Sequence, residues 1–328
     1  MPNAIKYNVS AETLALKKGN FWIGTGDVGK GPTSSTGFYN GITPPSGGYT
    51  IYLNKASGGP SVYVVTNDVQ LIGLTNTIAG TNYTTVSQCL VYYAGQTDKM
   101  IFNRDYEGIV TNGLILNLDA GFTPSYPTTN TTWYNLSSSG NHGTLINGPT
   151  FNSANGGTII TDSVDDTIQV DYNFTQHSTI TINFFANSSY NNESMIWSMG
   201  GNGPDWYIKA DTMGYNSYGA DTYGFSTAQI NNLGLRNNWR LMTMTYTQNS
   251  PVANNKVYVN GIEQSTSQQL GGTNGMSFNN QIYFTSAYGN GSGYNLSATI
   301  GYISIYNRAL SSSEVLQNYN ALKGRYGL

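Results

Sequence analysis

A run of aspartates in the middle of the chain is the densest group of side chains that could do chemistry. They are Asp162, Asp165, Asp166 and Asp171, with Asp119 further upstream. Neighbouring carboxylates make each other harder to ionise, and a divalent cation removes that penalty. The spacing predicts a calcium site in which Asp119 joins the first three, and we expect no other cofactor. The alternative is a solvated turn whose aspartates accept hydrogen bonds from the backbone.

A second candidate site consists of aromatic residues in or beside segments rich in Gly and Asn. These segments are GNGPDWYIK, DTMGYNSYGADTYGF and SAYGNGSGYN. Flat rings with nearby Asn amides suit the apolar face and the hydroxyls of a sugar, and they suit a protein interface equally well. The alternative is that Tyr fills half-buried faces of a sheet. The candidate carbohydrate or partner contacts are Trp206, Tyr207, Tyr215, Tyr218, Tyr223, Tyr288 and Tyr294.

Local patterns of common hydrolytic sites are missing from the sequence. Glycoside hydrolysis needs two carboxylates flanking the bond, and no two of the five glutamates share one strand face in a Glu-x-Asp-x-x-Glu arrangement. There is no G-x-S-x-G motif for a serine nucleophile. His142 and His177 lie in separate contexts, without the Cys or carboxylate spacing of a zinc site. We predict no enzymatic activity, although a site assembled from distant residues would leave no local pattern.

The Gly-rich segment GTGDVGKG at residues 24–31 matches nucleotide-binding motifs in sequence but lacks the surrounding sequence context that they need. It matches G-x-G-x-x-G, and with Lys30 it nearly matches a P-loop, but Gly31 stands where Ser or Thr should bind magnesium. Both motifs need a helix to follow, so that phosphate meets the helix N-terminus. The continuation GPTSSTG cannot begin a helix, so the segment predicts a surface turn.

The composition favours a strand-rich fold and argues against nucleic acid as a partner. Only 9% of the 328 residues are charged, whereas Gly (39) and Tyr (26) are frequent, as in short strands joined by many turns. The net charge of −3 offers no electrostatic basis for binding a phosphate backbone. The length suffices for two domains with their own cores.

Cys89 is the single cysteine, which excludes an internal disulfide. We predict that it is a small buried apolar residue within QCLVYY. No apolar run approaches the length of a membrane span, and no charged and then apolar leader opens the sequence. We therefore expect no membrane contact and no cleavable export signal.

The first third of the chain has the pattern of a small β module. A short helix is expected over residues 10–19, capped by Ser10. Strands are then expected at FWIG, YTIYLN, SVYVVT, QLIGL, TVSQCLVYYA and MIFNRDYEG, with turn residues between them. Residues 1–112 are therefore predicted to form an N-terminal β-rich module with a short leading helix.

Residues 113–328 alternate between short strands and turns in the manner of a β-sandwich. About ten strands are expected, at LILNLDAG, TIITDS, DTIQVDY, STITINFFA, SMIWSMG, DWYIKA, WRLMTMTYT, NKVYVNGIEQ, NQIYFTS and ATIGYISIYN. Within VYVNGI, the Asn-Gly pair predicts a type I′ hairpin. The fold class predicted for the chain is all-β, with this unit forming a two-sheet antiparallel jelly roll.

One short helix is expected at the end of the chain. Ser311 and Glu314 have the spacing of a capping box, in which each side chain accepts a hydrogen bond from the other residue's backbone N–H. Apolar residues follow at helical spacing and predict one stripe that packs on the sandwich. The stripe consists of Val315, Leu316, Tyr319 and Leu322.

Six motifs of the second unit follow one another in a recognisable order. They are GLILNLDAG, TTWYNLSSSGNHGTLINGPTFNSANGG, SVDDTIQV, NNWRLMTMTYT, KVYVNG and IGYISIYNRALSSSEV, and together they cover residues 113–328. This order resembles laminin-G-like jelly rolls of the concanavalin A-like lectin superfamily. It is similar in particular to the variant in virion proteins of tailed bacteriophages, especially phages of marine cyanobacteria. Residues 20–70 also resemble a leader module of such proteins.

Three positions depart from the pattern of that family. Asn135-Leu136-Ser137 stands where members carry Asp-Leu-Ser, Thr161-Asp162-Ser163 replaces Phe-Asp-Gly, and Thr167 replaces an aromatic residue. The expected fold is unaffected. The changes count against an inherited calcium site, because a hard cation needs several carboxylate and carbonyl oxygens together.

The resemblance implies a structural protein of a tailed-phage particle, as capsid decoration, neck component or tail appendage. The N-terminal module would anchor it to the virion, and the jelly roll would be displayed outwards, in contact with host-surface polysaccharide. The implied partners are other virion proteins and further copies of the chain, with no nucleic acid and no membrane. The implied location is the particle exterior, after assembly in the host cytoplasm. Two other function classes stay open, a carbohydrate-active enzyme of the glycoside hydrolase type and a cell-surface adhesin.

Overall fold

A computed structural model gives the structure of most of the chain. It describes residues 49–53, 61–86, 88–89, 92, 99–103, 109–122, 125–128, 130–137, 139–189, 193–201, 203–216, 221–287, 294–326 and 328. The expected helix over residues 10–19, the expected strand FWIG and the Gly-rich segment at residues 24–31 lie outside these ranges.

The described residues form two compact units. One contains the residues up to Val110 together with Gln317–Leu328, and the other is Thr111–Leu316. The division predicted from sequence, 1–112 and 113–328, differs in assigning the last twelve residues to the second domain. Among the described residues, no helix is both long enough and apolar enough to cross a membrane.

The first unit contains a three-stranded antiparallel sheet. Its strands are β1 (Tyr49–Leu53), β2 (Ser61–Val65) and β3 (Lys99–Asn103), with β1 in the centre. All three lie in segments predicted as strands. Cys89 is fully buried in a small core with Ile51 and Leu71, as predicted, and burial raises the pKa of its thiol.

Two segments of this unit that were predicted as strands are helical. Helix α1 (Asp68–Ala79) contains QLIGL, and four described residues of TVSQCLVYYA, namely Val86, Gln88, Cys89 and Tyr92, are helical as well. Asn67 caps α1 by accepting a hydrogen bond from a first-turn N–H, and Gly80 ends it in the left-handed conformation. Leu71 and Thr75 are buried one turn apart. The strand prediction was wrong because it relied on the apolar residues of the segment and did not take the helix caps at Asn67 and Gly80 into account.

The second unit is a sandwich of two antiparallel sheets, as predicted. Among the described residues, one sheet has eight strands, and in it β20 pairs with β10 on one side and with β4 and β8 on the other. These strands are β4 (Leu114–Asp119), β7 (Thr150–Asn152), β8 (Thr158–Thr161), β10 (Thr179–Ser189), β15 (Trp239–Thr247), β16 (Val257–Val259), β17 (Ile262–Gln264) and β20 (Ser297–Tyr306).

The facing sheet has nine strands among the described residues. They are β5 (Thr132–Trp133), β6 (Gly143–Ile146), β9 (Thr167–Asp171), β11 (Glu193–Ser198), β12 (Asp205–Lys209), β13 (Thr212–Asn216), β14 (Thr222–Phe225), β18 (Ser267–Leu270) and β19 (Gln281–Phe284). Their order is β18-β14-β13-β12-β11-β19-β9-β6-β5. A short helix, α2 (Thr227–Asn232), follows β14. All ten segments predicted as strands contain strands, and β5, β6, β7, β13, β14 and β18 were not predicted.

Alternate side chains of the strands fill the space between the sheets. Phe184 of β10 lies parallel to Phe284 of β19, with ring centres 6.1 Å apart. The Trp197 indole N–H of β11 donates to the Met244 sulfur of β15 at 3.3 Å. A buried side chain of this size contributes roughly 1.5–3 kcal/mol through removal of its apolar surface from water. These contacts hold the two sheets together.

The predicted hairpin joins β16 and β17. Asn260 and Gly261 have φ values of 51° and 83°, and Val259 pairs with Ile262 across the turn. Two consecutive positive φ values are the requirement of a type I′ turn. The prediction from Asn-Gly is confirmed.

Helix α3 (Ser312–Leu322) begins with the predicted capping box. The Glu314 N–H donates to Ser311 Oγ at 3.3 Å, and the Ser311 N–H donates to Glu314 Oε2 at 2.9 Å. The predicted stripe is wrong at Leu316, which is 44% exposed. Asn318 is buried instead, because the buried face of the helix is rotated away from Leu316.

The chain after β20 crosses the outer face of the eight-stranded sheet. Thr181 Oγ1 on β10 donates to the Arg308 carbonyl at 2.7 Å and accepts from the Leu310 N–H at 3.1 Å. The Tyr258 hydroxyl of β16 lies 3.3 Å from Ser312 Oγ in the first turn of α3. The chain itself therefore covers this face around Thr181 and Tyr258.

Candidate functional site

The outer face of the nine-stranded sheet is polar where β9 and β19 pair. Residues alternate between core and surface along both strands, so that Gln169 and Asp171 of β9 and Gln281 and Tyr283 of β19 point outwards. The register places Asp171 opposite Gln281 and Gln169 opposite Tyr283. Four hydrogen-bonding side chains thus share one patch of the surface.

An open cavity of about 470 Å³ lies beside this patch. It is lined by the side chains of Asp171, Gln281 and Tyr283, by Asn279 and Asn280 before β19, and by residues 199–201 after β11. Its volume is in the range of small-molecule sites, which present a few placed polar groups in a concave surface.

The Asp171 carboxylate is held in one orientation by two glutamines. Its Oδ1 accepts from Gln169 Nε2 at 2.8 Å and from Gln281 Nε2 at 2.7 Å. Gln281 Oε1 in turn accepts from the Tyr283 hydroxyl at 2.8 Å. Asp171 Oδ2 has no hydrogen bond with any residue that the structure describes. The carboxylate therefore offers a fixed, unused acceptor beside the cavity.

The opposite wall of the cavity is a tight loop after β11. Asn279 Nδ2 donates to the carbonyl oxygens of Met199 at 3.0 Å and of Gly200 at 2.9 Å, and the Gly200 N–H donates to Ser198 Oγ at 2.9 Å. A Cβ at Gly203 would lie 2.7 Å from Asn279 Nδ2 and 2.8 Å from Met199 Cβ, so this position accommodates no side chain unless both Asn279 and the loop at Met199 move. Asn279 Oδ1 has no hydrogen bond within the described part of the chain and is a second unused acceptor.

A buried carboxyl group lies further across the same face. Asp205 of β12 is opposite Ser198 of β11, which is opposite Tyr283. Asp205 is 6% exposed, its Oδ2 accepts from Asn216 Nδ2 at 3.3 Å, and its Oδ1 has no hydrogen-bond partner. Burial raises its pKa to about 7, against which the Asn216 hydrogen bond acts. Asp205 therefore keeps its proton to a higher pH than an exposed aspartate does.

Two of the predicted aromatic contacts lie in the core, so the expectation that they are exposed on loops is wrong. Trp206 and Tyr215 lie on β12 and β13 with their rings edge to face, 4.8 Å between centres. The Tyr215 hydroxyl donates across the core to the carbonyl oxygens of Thr245 and Lys256. The Gly- and Asn-rich segments around them are strands of a meander, and every second side chain of a strand points inwards.

The other predicted aromatic contacts differ in exposure. Tyr207 points outwards but is 2% exposed, because Tyr294 stands edge-on to it with ring centres 5.5 Å apart. Tyr294 is 37% exposed and has a φ of 60°, an uncommon value for a tyrosine. Tyr223 is half-buried against the core. Tyr218 and Tyr288 lie outside the described residues. Tyr294 is thus the exposed member of the set in the described part of the chain.

The acidic cluster contains three of the predicted metal ligands. Asp162, Asp165 and Asp166 each offer a carboxylate oxygen within 4.8 Å of the others. Asp162 Oδ1 accepts from the N–H of Val164 at 2.8 Å and of Asp165 at 3.3 Å, which is the aspartate turn of the alternative interpretation. Asp166 is buried with its Oδ1 unpartnered, and burial is the main reason that its pKa is raised.

The oxygens at this cluster fall short of a calcium shell. Calcium takes six to eight oxygens, in part from backbone carbonyls. The carbonyls of Val164 and Asp165 already accept from the side-chain amides of Asn295 and Asn147. Calcium binding stays a prediction with an incomplete donor set.

Asp119 is not part of the cluster, so its prediction as a ligand is wrong. It is fully buried at the end of β4, where its Oδ1 accepts from the Gly121 N–H at 3.0 Å. Asp119 pairs with Tyr302 on β20, whereas the cluster follows Thr161, which pairs with Ala298. Four residues of β20 separate the two positions, or roughly 13 Å at the rise of a strand.

The histidines have structural partners. His142 Nδ1 accepts from the Asn135 N–H at 3.1 Å, and the Asn135 side chain accepts from the Asn117 N–H at 2.8 Å. Asn135, which replaces the family's aspartate, thereby ties the motif to β4. His177 Nε2 lies 2.9 Å from the Tyr172 hydroxyl, and burial lowers the pKa of His177.

Most of the cavity residues were not predicted from the sequence. Asp171 was singled out, but as part of the acidic cluster rather than beside Gln281. The available signal was the alternation in TIQVD and QIYF, where polar residues occupy every second position. The pairing of these strands could not be inferred, since Asp171 and Gln281 are 110 residues apart.

Residues 161–316 match the family model described as the Concanavalin A-like lectin/glucanases superfamily. The matched segment begins at the end of β8 and ends in α3, so it includes β9 to β20 and all of the cavity residues. A comparison with curated proteins finds no significant match.

Several solved structures have a similar fold. The receptor-binding domain of botulinum neurotoxin C/D mosaic serotype is 15% identical, with a TM-score of 0.46 over 64% of this chain and 52% of that chain. The binding domain of Paraclostridial Mosquitocidal Protein 1 is 19% identical, with a TM-score of 0.45 over 64% and 52%. The chain spans about half the length of these structures. Values this low transfer no property of those proteins to this chain.

The sandwich and the family model agree on the architecture of the larger unit. Two facing antiparallel sheets are present, and a short helix follows the last strand. The larger unit of this chain has the two-sheet jelly-roll fold of the concanavalin A-like lectin/glucanase superfamily, whose family model matches residues 161–316.

Proposed function

We propose that this protein is a structural component of a tailed-phage particle, which displays the jelly roll as a non-catalytic domain for binding host-surface glycan. The observation that carries the binding role is the open cavity on the outer face of the nine-stranded sheet. Side chains from two strands and a loop surround one oriented carboxylate there. Such a rim suits ligands with many hydroxyl groups, because each hydroxyl both donates and accepts a hydrogen bond.

The cavity favours binding over hydrolysis. Its lining contains one carboxylate, Asp171, whereas glycosidases place two carboxyl groups about 5–9.5 Å apart. Asp205 has the raised pKa of a general acid, and it is the feature that favours the alternative of a glycoside hydrolase. However, β9 and β12 are three strands apart, which separates Asp205 from Asp171 by about 14 Å. That distance exceeds the separation of the two catalytic carboxyl groups in glycosidases.

The particle role is supported by the sequence. The order of motifs over residues 113–328 resembles jelly rolls of tailed-phage virion proteins, and residues 20–70 resemble their leader module. Repeated copies on a particle would let weak contacts with a surface polysaccharide add up through effective concentration. Other virion proteins are then the partners of the N-terminal module, and the particle exterior is the location.

Mass spectrometry of purified particles tests the particle role. The chain should be found in mature virions in stoichiometric amounts. Its absence from washed particles that still infect would overturn the structural assignment.

Binding to host-surface polysaccharide, with assay of released reducing ends, tests the glycan role. The full chain should be retained on the polysaccharide without releasing sugar. Release that is lost in Asp205→Asn would show a hydrolase instead. Retention that is unchanged in Asp171→Asn and Gly203→Ala would place the binding site away from the cavity.

A further inference from the structure

Two acceptor atoms around the cavity have no hydrogen bond within the described part of the chain. The amides of Gln169 and Gln281 each direct one N–H at Asp171 Oδ1, and the amide of Asn279 is directed at two backbone carbonyls. Asn280 also lines the cavity, and its side-chain amide can both donate and accept. The two free acceptors are Asp171 Oδ2 and Asn279 Oδ1, and a ligand that binds these two atoms must donate hydrogen bonds.

The charge of the cavity is negative. Among the described residues that line it, Asp171 is the one carboxylate, and none is Lys, Arg or His. On the same sheet, Lys209 is at the far end of β12 and pairs with Glu193 at 3.2 Å. A ligand carboxylate or sulfate next to Asp171 would therefore meet a like charge without a compensating cation.

We infer that the cavity selects glycans whose exposed groups are hydroxyls or ammonium groups and excludes acidic glycans such as uronates, sialates and sulfated sugars. This inference rests on the proposed glycan binding and names its ligand class. Hydroxyl groups of a neutral sugar would donate to Asp171 Oδ2 and to Asn279 Oδ1. The ammonium group of an amino sugar would gain a charge-assisted bond to Asp171.

A glycan array that carries neutral, amino and acidic glycans tests the selectivity with the full chain. We expect signals on neutral and amino glycans and weak signals on acidic ones. Asp171→Asn should weaken binding to neutral glycans about tenfold or more, since a hydrogen bond to a charged group is lost. It should also reduce the difference in binding signal between neutral and acidic glycans, because the negative charge that repels acidic glycans is gone.

Two further variants separate the possible failures. Asp211→Asn makes the same change of charge at the exposed β12–β13 turn, where Asp211 pairs with Arg236, and should leave the array pattern unchanged. Gly203→Ala keeps the charge of the cavity and displaces Asn279, so it should weaken all binding.

The outcomes are distinguishable. Strongest binding to acidic glycans overturns the inference and leaves glycan binding intact. The inference is also overturned, with glycan binding intact, if Gly203→Ala weakens binding but Asp171→Asn binds the glycans as the unchanged chain does. If the chain gives no binding signal on any class of glycan, the proposed glycan binding and the inference are both overturned.

Discussion

Asp205 is a carboxyl group whose burial makes the stability of the protein depend on pH. A pKa raised from 3.8 to about 7 corresponds to roughly 4 kcal/mol of penalty for the ionised form. Because the folded state holds the proton more tightly than the unfolded state, the contribution of Asp205 to stability is fully present below about pH 4 and is lost as pH rises from there through 7. Asp205→Asn removes the charge and keeps the hydrogen bond to Asn216. The variant should be more stable than the unchanged chain at about pH 8, by up to that amount.

Urea unfolding across the pH range measures this effect. The advantage of the variant should shrink as pH falls below 7 and vanish near pH 4. A constant difference between the two proteins at all pH values would contradict the assignment to this carboxyl group.

Glu314 has the opposite pH dependence. The Arg308 guanidinium, 2.6 Å from Oε1, together with the hydrogen bonds from Ser311, lowers its pKa to about 2. A lowered pKa contributes stability that is present above 4.5 and is lost as pH falls towards 2. Glu314→Gln should cost up to about 1 kcal/mol at neutral pH, the range of a partly exposed ion pair, because the Gln oxygen can still accept from the Ser311 N–H. Thermal unfolding at neutral and acidic pH measures this difference.

Glu263→Gln is the matched control for Glu314→Gln. Its partner Lys256 lies 2.9 Å away, but both side chains are more exposed than the Arg308–Glu314 pair. Exposed pairs contribute little, so this variant should unfold like the unchanged chain. Equal effects of the two variants would mean that the Arg308–Glu314 pair contributes no more than an exposed pair.

The residue types predict that aromatic side chains lie on the strands and loops of the sandwich. They do not predict which of these side chains point into the core and which are exposed. Tyr215 and Tyr294 have similar Gly- and Asn-rich neighbours, yet one bridges the core and the other is exposed. The difference arises from strand pairing: Tyr215 pairs with Trp206, and both point inwards. Nothing local in the sequence records that register.

At the scale of the element, the β13–β14 pairing depends on two glycines that face each other. Gly214 and Gly224 are opposite in the register, and a Cβ at Gly224 would lie 2.3 Å from the Met213 carbonyl oxygen. Backbone atoms of a paired strand cannot withdraw without breaking the ladder. Gly224→Ala should therefore destabilise the protein by about 3 kcal/mol, the upper range of overpacking.

Gly73→Ala is the control with the opposite sign. Gly73 lies inside α1, and nothing stands within 4 Å of its added Cβ. Alanine should stabilise the helix there by about 0.5–1 kcal/mol, because it restricts the unfolded chain. Urea unfolding of the two variants gives the comparison. A similar loss of stability in both would show that steric contact is not the cause.

The elements could be predicted where local chemistry decides them. The capping box of α3 and the Asn-Gly turn between β16 and β17 were predicted because a few adjacent residues specify them. The helix α1 had equally local caps at Asn67 and Gly80, so its omission was an error of interpretation. The cavity could not be predicted, since it depends on the pairing of β9 with β19 across 110 residues.

At the scale of the whole molecule, the last residues of the chain complete the first unit. The Val110 N–H donates to Asn318 Oδ1 at 2.8 Å, a buried bond across 208 residues. Residues 317–328 were predicted to belong with the jelly roll, because α3 follows β20 directly. The sequence marks where α3 begins but holds no local signal for the partner of Asn318.

Asn318→Leu should destabilise the first unit in particular. Leucine has a similar shape but leaves the Val110 N–H buried without this acceptor, which costs about 1–3 kcal/mol. Hydrogen exchange should reveal lower protection of β1 to β3, with β10 and β20 of the jelly roll unchanged. Leu316→Asn, at the exposed position two residues earlier, should leave both sets of amides as they are, because that side chain is 44% exposed. Equal loss of protection in both units would mean that they unfold together, and the C-terminal residues would then stabilise the whole chain rather than the first unit.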